Sequence, residues 1–568
     1  MSTPGSALVR NSPLPRGVAV RGYLDCLPRD RALWAAAILA AALVAGGMWW
    51  GGAEHWNPDQ MALRSVTLPD RLPLEPSGFL KPPFHTYVVF FATVLPQKIF
   101  ENGLQALTGS PQNFGPSILW FARSIQLAIF VGMVWVVYSI VRRGSGLGAA
   151  RATALLMATA AGFILQAHFL TADVPVTFWM LLAFLFAQSL NRTGRLRDYV
   201  LAGLLTGVAT ATKYNGLAVG IAIPVFHALA NRSVPFHRMA FDRRLVISMF
   251  MVVGGFIVAN PFAVITYSKF LSDFVYNYVT TPVFDGTDPS ETSYFQFLRR
   301  SVEILGWPLF VATLFGAALS LARVRRQASA ELATTLAAAA VFVLYFWKFG
   351  GFPRLEVRFV LSAIPFLLIA AGPGFGWFAR VRPRLAVAAL ALIVAYNVYA
   401  SLWVDYRFAA DPRMASFQWI ARNVPAGATI EASAYTPDWR SRLGVEFVRM
   451  PTVTGRYQRL SEMFADDPAL IARLRSRDSD ENVPWYDAAA LRERNPDFVA
   501  VDSLYYDRFY ANAESDYATI KRFFDDLLAE KLGYEIVYDE SSTESPRWLY
   551  PKEMVFVDNR LVILKRAQ

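Results

Sequence analysis

Charge is scarce in this 568-residue chain: 17% of its residues are charged, whereas 54% are hydrophobic. The mean hydropathy is +0.31, and this balance excludes an ordinary soluble enzyme. A spanning helix needs roughly 20 mostly apolar residues, and runs of that size recur from Ala32 to about Trp403. The composition therefore predicts a polytopic α-helical membrane protein.

Cysteine is almost absent as well. Cys26 is the single cysteine, so an intramolecular disulfide is excluded and cysteine gives no information on the redox compartment. The sequence has no Cys/His cluster with metal-ligand spacing. We therefore expect that no cofactor is required, while a divalent metal stays possible without being indicated.

Arginine-rich loops set the orientation, because short loops rich in Lys and Arg stay cytoplasmic. This bias also accounts for the net charge of +11 without a nucleic-acid partner. The first apolar run ends in MWWGG without a cleavage site, which predicts an uncleaved first span. The predicted cytoplasmic clusters are Arg16/Arg21/Arg29/Arg31, Arg142/Arg143/Arg151, Arg192/Arg195/Arg197, Arg232/Arg238/Arg243/Arg244, Arg323/Arg325/Arg326 and Arg380/Arg382/Arg384.

Length and charge bias together predict about eleven transmembrane helices. The stretch PFHTYVVFFATVLPQKIF is predicted to be an interfacial helix, because a span there would move Arg142 and Arg143 outside. The predicted spans lie near 32–50, 117–141, 147–167, 174–190, 199–213, 215–230, 245–264, 302–322, 331–347, 357–375 and 384–403. The predicted regions are a cytoplasmic segment at 1–31, a transmembrane domain at 32–403 with a first periplasmic loop at 51–116, and a C-terminal domain at 404–568.

The C-terminal part reads as a soluble α/β domain on the outer, periplasmic side. ATIEAS, DFVAVDSLYY, YEIVYDE and MVFVDNRLVILKR are strand-like, whereas DPRMASFQWIARNV and ESDYATIKRFFDDLLAEKL have helical periodicity. G-x-G-x-x-G and G-x-x-x-x-G-K-[ST] loops are absent, which argues against a second, nucleotide-using enzyme. Acceptor binding and a structural lid both remain open as roles.

Isolated charges at the predicted outer ends of several helices indicate a functional cleft, since charges near the membrane are costly unless they are used, paired or hydrated. Each also has a purely structural interpretation. Asp59 and Asp173 are both suited to cap helices, and Lys81 and Lys213 could extend to the interface from helix ends. Arg358 could pair with Glu356 or with lipid headgroups.

The order of PDQ, KPP, TADVP, TKYNG and RFVLSAIPFLLIAA resembles the membrane glycosyltransferases of the C superfamily. The likeness is greatest to the protein O-mannosyltransferase group, glycosyltransferase family 39, and its bacterial relatives that modify lipid A or other envelope glycans. The resemblance covers the whole membrane half. It implies transfer of a sugar from a polyprenyl-phosphate donor to a glycan, lipid or protein acceptor, in the periplasm at a bacterial inner membrane.

Motif positions imply roles for individual residues. By resemblance, Asp59 and Asp173 are catalytic candidates, and possible substrate contacts are Gln60, His85 and Tyr214. The implied donor-phosphate ligands are Lys81, Arg64, Lys213 and Arg358. Relatives often have Asp-Glu where this chain has Asp59-Gln60, and Gln cannot take a proton at neutral pH. That departure puts in doubt any role requiring two carboxylates in the loop and favours an envelope acceptor over protein.

The expected chemistry explains these residue types. A leaving polyprenyl phosphate gains negative charge that fixed cations stabilise, and one carboxylate base suffices for an inverting attack by the acceptor hydroxyl. The main alternative function is a transporter or flippase, although the sequence has no internal repeat of the kind that transporters often have. The third possible function is that of a non-catalytic sensor or scaffold with an external domain.

Overall fold

The computed structural model describes residues 30–51, 56–57, 60, 66, 71–110, 118–280, 293–352, 355–440, 444–453, 468, 480–510, 517–543, 546, 556–557 and 559–567. Two predicted site residues, Asp59 and Arg64, lie outside these ranges. All structural statements below concern the described residues.

The first half of the chain consists of helices that are mostly apolar. A π-helical turn at Phe90–Val94 joins α2 to α3, and a 3-10 helix at Tyr214–Ile221 precedes α9. The helices are α1 Arg31–Ala45, α2 Phe84–Val89, α3 Leu95–Thr108, α4 Ile118–Ser145, α5 Leu147–Ala158, α6 Ala161–His168, α7 Asp173–Thr193, α8 Leu196–Thr212, α9 Ala222–Ala230, α10 Phe236–Ala240, α11 Arg243–Ala259, α12 Phe262–Ile265 and α13 Tyr267–Thr280.

The helices continue into the C-terminal part. A short 3-10 turn at Val324–Arg326 lies between α15 and α16. The remaining helices are α14 Ser293–Leu305, α15 Trp307–Ala322, α16 Ser329–Gly350, α17 Val357–Leu361, α18 Ile364–Val381, α19 Pro383–Ala409, α20 Pro412–Asn423, α21 Ala488–Arg494, α22 Ser503–Tyr510 and α23 Ala518–Leu528.

The helices confirm a multi-pass membrane protein, although the count of eleven spans stays a prediction. Within the described ranges, five helical stretches are long and apolar enough to cross a membrane, or seven if two bent pairs each count as one span. The span predicted near 302–322 is not a single straight helix. The chain bends by 115° between α14 and α15, because Gly306 adopts a φ of 73° that favours glycine.

Small residues bring the spans close together. A Cβ added at Gly203 or Gly207 of α8 would meet the backbone of α11, and one at Gly374 of α18 would meet the backbone of α15. Such contacts let helix backbones approach closely in a membrane, where burial of apolar surface gives little driving force between helices. The bundle core is accordingly built from alanine, leucine, valine and phenylalanine on many helices.

A five-stranded sheet in the order β2-β1-β3-β5-β4 forms the centre of the C-terminal part. β1–β2 and β1–β3 are parallel, whereas β3–β5 and β4–β5 are antiparallel. The sequence pattern missed β2, and it read SLYY at 503–506 as part of a strand, although α22 begins there. The strands are β1 Thr429–Ala432, β2 Glu446–Arg449, β3 Phe498–Asp502, β4 Tyr534–Ser541 and β5 Arg560–Arg566.

Buried polar contacts hold this part against the membrane bundle. Arg413 forms a fully buried ion pair with Asp411 at 2.7 Å, and the Trp50 indole donates to the same carboxylate at 2.8 Å. The guanidinium of Arg413 also lies over the rings of Trp50 and Trp56, 5.4 and 4.8 Å from their centroids. The segment after α1 and the segment after α19 therefore meet at one end of the bundle.

Candidate active site

A buried ion pair joins two of the predicted motifs. Lys213 Nζ donates to Asp173 Oδ1 at 2.5 Å, and the two side chains are 17% and 6% exposed. Asp173 is the first residue of α7, and the N-cap, Ala172, has no side-chain hydrogen bond. The Asp173 carboxylate thus binds a cation from another motif rather than capping its own helix.

Local sequence explains why these two side chains meet. Pro175 falls in the first turn of α7, where a proline is tolerated because its missing N–H would have no partner within the helix. At Lys213 the backbone becomes extended, with φ −157° and ψ 135°, and α8 ends. The chain then turns at Gly216, where a Cβ would collide with the Ala209 carbonyl. The glycine of TKYNG is therefore required for Lys213 to project from this turn.

A second ion pair lies beside the first. Arg358, in the first turn of α17, pairs with Glu356, the N-cap of that helix. Phe359 connects the two pairs, because Lys213 Nζ is 5.3 Å and the Arg358 guanidinium carbon 5.4 Å from its ring centroid. Arg300 holds this segment in place by donating to the Leu355 carbonyl at 2.7 Å. Cation–π contacts thus hold both cations next to one aromatic side chain.

Lys81 is the third cation of the cluster. Burial lowers the pKa of Lys81 below its ordinary value, and the carboxylates of Asp173 and Glu356 raise that pKa in part. The side chain nonetheless keeps an exposed surface. A lysine that is surrounded by protein and still accessible lies in a cleft, and we call the group of Lys81, Asp173, Lys213, Glu356 and Arg358 the charged cluster.

The loop that carries Lys81 is fixed two residues earlier, at Phe79. Tyr214 donates its hydroxyl to the Phe79 carbonyl at 2.7 Å, and the Phe79 N–H donates to Asp273 at 2.8 Å. From the same helix, α13, Lys269 forms an ion pair with Glu75 at 2.8 Å and thereby lowers the pKa of Glu75. Both backbone groups of Phe79 are therefore engaged, and α13 lies against the first loop.

Two further predicted residues are buried close to the first loop. His85 is fully buried in α2, lies beside Gln126, and burial lowers its pKa to about 3. A histidine with that pKa is neutral at physiological pH. Gln60 is also buried, and its N–H donates to the Asn57 carbonyl at 3.0 Å. Neither His85 nor Gln60 is a described member of the charged cluster.

The structure brings together four residues that the sequence singled out, namely Asp173, Lys213, Arg358 and Lys81. Tyr214 is adjacent to them but supports the backbone of the first loop. Sequence reasoning treated Glu356 only as a possible partner for Arg358, and it missed Asp273. The available signal for Asp273 was an acidic side chain in an aromatic-rich outer loop, which is weak because loops commonly carry acids.

The charged cluster can bind and stabilise an anion. Three cations face two carboxylates, so the cluster retains one positive charge in excess. Fixed cations in a poorly hydrated site stabilise negative charge that develops during a reaction. Among the described residues, no group of three or more His, Cys, Asp or Glu side chains is arranged to hold a metal.

Comparison with known families finds one matching region. Residues 114–259 match the sequence model of the family described as dolichyl-phosphate-mannose-protein mannosyltransferase. The matched region contains both Asp173 and Lys213. The resemblance to the protein O-mannosyltransferase group is thereby confirmed over this region, and the chain is mannosyltransferase-like there. No curated protein sequence matches the chain significantly.

Several solved structures show weak overall likeness to the chain. ArnT from Cupriavidus metallidurans, bound to undecaprenyl phosphate, is 16% identical with a TM-score of 0.48, covering 96% of this chain and 98% of its own. The Archaeoglobus fulgidus oligosaccharyltransferase tethered to an acceptor peptide is 14% identical with a TM-score of 0.49, covering 89% of this chain and 72% of its own.

Proposed function

We propose that this mannosyltransferase-like membrane protein transfers a sugar from a polyprenyl-phosphate donor to an acceptor hydroxyl. The observation that carries the proposal is the charged cluster, in which Lys81, Lys213 and Arg358 come from three separate motifs of the chain. The description of the matched family contains dolichyl phosphate mannose. This is a sugar donor of the same chemical class, because dolichyl phosphate is a polyprenyl phosphate.

The cluster suits the departure of the donor phosphate. When the acceptor oxygen forms its bond to C1 of the sugar, the bond from C1 to the phosphate oxygen breaks and the phosphate takes the electron pair. Lys81, Lys213 and Arg358 would stabilise that charge, as preorganised cations do in enzymes. In this proposal Asp173 holds the Lys213 ammonium in position, because the Lys213–Asp173 ion pair already occupies the carboxylate.

A different carboxylate is then needed to accept the proton of the acceptor hydroxyl. We assign this role to Asp59, which the motif in the first loop makes the candidate base, and the expected outcome is inversion at C1. A hexose or a pentose would both suit this chemistry. Gln60 favours an envelope glycan or lipid A as acceptor over protein, and the orientation of the arginine-rich loops favours the periplasmic side of a bacterial inner membrane.

Transport is less well supported by the charge distribution. A transporter binds its substrate near the middle of the membrane, often between broken helices. The described cluster instead lies where α7 and α17 begin and α8 ends. This arrangement favours chemistry at one end of the bundle over passage through it.

Mass spectrometry of envelope glycolipids and glycoproteins, with and without the gene, tests the proposal. We expect one species to lose a hexose or pentose mass in the deletion strain and regain it with the wild-type gene. A gene carrying Lys213→Met should fail to restore the mass. A gene carrying Lys98→Met, which changes an exposed lysine of α3, should restore it. An unchanged envelope in the deletion strain would refute the proposed activity.

The role of Asp59 has its own test in purified protein. Asp59→Asn should reduce single-turnover sugar transfer about 100- to 10,000-fold, the usual contribution of a general base, while donor binding stays unchanged. Asn caps a helix about as well as Asp, so a capping role predicts nearly normal transfer. That second outcome would remove Asp59 from the mechanism.

A further inference from the structure

A small polar cavity lies at the end of the bundle opposite the charged cluster. It has a volume of about 50 Å³ and is formed where α15 ends, α16 begins and α18 ends. Helix α16 has 22 residues and is thus about 33 Å long at 1.5 Å per residue, and at its other end Phe349 stacks on Phe359, beside the charged cluster. The cavity is therefore separate from the candidate active site.

The lining of the cavity is strongly basic. Arg323, Arg326 and Arg380 line it together with a single carboxylate, that of Glu331. Three positive charges against one negative charge leave an excess of two. Within the described part of the chain, no ion pair joins any of these three guanidinium groups to a carboxylate within 4 Å.

Some arginines of the loops predicted to be cytoplasmic form ion pairs. Arg244 binds Asp242 at 2.8 Å, and Arg151 binds Asp30 at 3.0 Å. A general bias toward positive loops accounts for the presence of arginine, but it does not by itself collect unpaired guanidinium groups around one concavity. The feature that distinguishes this cavity is that three guanidinium groups without a described ion pair line the same concavity.

The cavity wall is also ordered by specific contacts. The Arg323 guanidinium lies over the Trp377 ring, 4.7 Å from its centroid, a contact that uses the planar face of the group and leaves its N–H donors available. Gln327 donates to the Ser320 carbonyl at 2.9 Å, and the Ser320 hydroxyl accepts from the Gly374 N–H at 2.9 Å. These bonds tie the wall to α15 and α18.

We propose that this cavity binds a phosphate group, either in the headgroup of an anionic lipid in the adjacent leaflet or as a free phosphate. Guanidinium groups match the geometry of phosphate oxygens and form strong charge-assisted hydrogen bonds with them. Basic pockets between spanning helices are a known means of binding anionic headgroups. The volume is several times the roughly 10–15 Å³ that one water needs, so it admits part of a phosphate.

Two arms of one experiment distinguish the sources. The first uses native mass spectrometry of the full chain in detergent to measure retention of added phosphatidylglycerol, with a neutral galactolipid as the phosphate-free comparison. The second measures the melting temperature in nanodiscs of phosphatidylcholine with inorganic phosphate or with chloride at matched ionic strength. Both arms compare wild type, Arg323→Gln/Arg380→Gln and Arg325→Gln/Arg382→Gln. The last variant removes equal charge from neighbouring positions that do not line the cavity.

If the cavity binds a lipid headgroup, wild type should retain phosphatidylglycerol. The Arg323→Gln/Arg380→Gln variant should then retain it about tenfold less, because hydrogen bonds to charged groups are strong. If the cavity binds free phosphate, inorganic phosphate should raise the melting temperature of wild type but not that of Arg323→Gln/Arg380→Gln. In both cases the control variant should resemble wild type. Equal losses in the two variants would indicate a diffuse positive surface and overturn the proposal, as would a wild-type protein that responds to neither phosphate source.

Discussion

At the scale of single residues, the candidate site depends on lysines and arginines whose environments differ. Lys213 pairs with the buried carboxylate of Asp173, whereas Arg358 pairs with Glu356 at the start of α17. Lys81 is surrounded by protein, and the carboxylates of Asp173 and Glu356 partly offset the effect of this burial on its pKa. These differences lead to separate predictions for the Lys213–Asp173 pair and for Lys81.

The pair of Asp173 and Lys213 is open to a double-mutant test. Asp173→Asn and Lys213→Met should each destabilise the protein by about 3–5 kcal/mol, because each leaves a buried charge without its partner. The double variant should be less destabilised than the sum of the two, yet sugar transfer should remain low because the ammonium is gone. Melting temperatures and single-turnover transfer provide the two readouts. Transfer that recovers in the double variant would mean that the pair is only structural.

Donor binding should depend on pH through Lys81. Because burial lowers the pKa of Lys81, its ammonium loses the proton at a lower pH than an ordinary lysine, whose pKa is about 10.4. Affinity for the phosphate donor should therefore fall as pH rises through the alkaline range below that value. Lys81→Arg should keep its affinity to higher pH, since arginine stays protonated.

Equilibrium binding of the polyprenyl-phosphate donor between neutral and alkaline pH measures the effect. Lys98→Arg supplies the control, because Lys98 is exposed on α3 and belongs to no site described above. Identical curves for wild type and Lys81→Arg would rule out Lys81 as the titrating group.

At the scale of elements, α13 determines the position of the loop that carries Lys81. The helix contributes Lys269 and Asp273 to the first loop, and the 3-10 helix after Lys213 contributes Tyr214. The rings of Tyr214 and Phe274 also pack at 5.0 Å. Two elements distant in sequence, α13 and the 3-10 helix, therefore converge on Phe79, two residues before Lys81.

Tyr214→Phe should act through this arrangement. It removes the hydrogen bond to the Phe79 carbonyl and leaves the ring packing in place, so the cost in stability should be about 0.5–1.5 kcal/mol. Since Lys81 then loses part of its support, the KM for the donor should rise more than kcat falls. Steady-state kinetics with varied donor concentration separate the two parameters. A change in melting temperature alone, with an unaltered KM, would show that Tyr214 serves stability only.

At the scale of the whole molecule, the C-terminal part is attached to the bundle by buried contacts. Asp411 and Arg413 bind each other and bind Trp50, and Arg413 donates to the Phe556 carbonyl at 2.6 Å. Apolar contacts of Phe169, Val404 and Phe408 extend this interface. The C-terminal sheet is thus packed against the bundle through these contacts, in addition to its covalent connection through α19.

Arg413→Ala should weaken this docking by about 3–5 kcal/mol, because the buried Asp411 carboxylate would lose its cation. The chain offers a matched control in Arg440→Ala, where Arg440 pairs with Asp438 at the same spacing but on the surface. Exposed pairs contribute about 0–1 kcal/mol. Melting temperature and the rate of limited proteolysis after α19 measure the difference, and equal effects of the two variants would contradict a docking role for Arg413.

Much of the membrane architecture follows from the sequence by itself. Long apolar runs must become helices, because lipid cannot satisfy an open backbone. Pro175 and Gly216 similarly fix a helix start and a turn by local sterics. The ordered motifs were sufficient to select Asp173, Lys213, Lys81 and Arg358 and to indicate the family resemblance, because each stands out against an apolar background.

Tertiary structure alone decided which of these charges are neighbours. Periodicity cannot predict that Phe359 lies against both Lys213 and Arg358, or that Asp273 binds the Phe79 N–H from 194 residues away. Contacts of this kind depend on how helices pack, and packing is determined by many small residues acting together. The bend at Gly306 was not predicted either, since an apolar run has the same composition whether it is straight or bent by 115°. Sequence thus determined the elements and the charged residues, and packing determined the site.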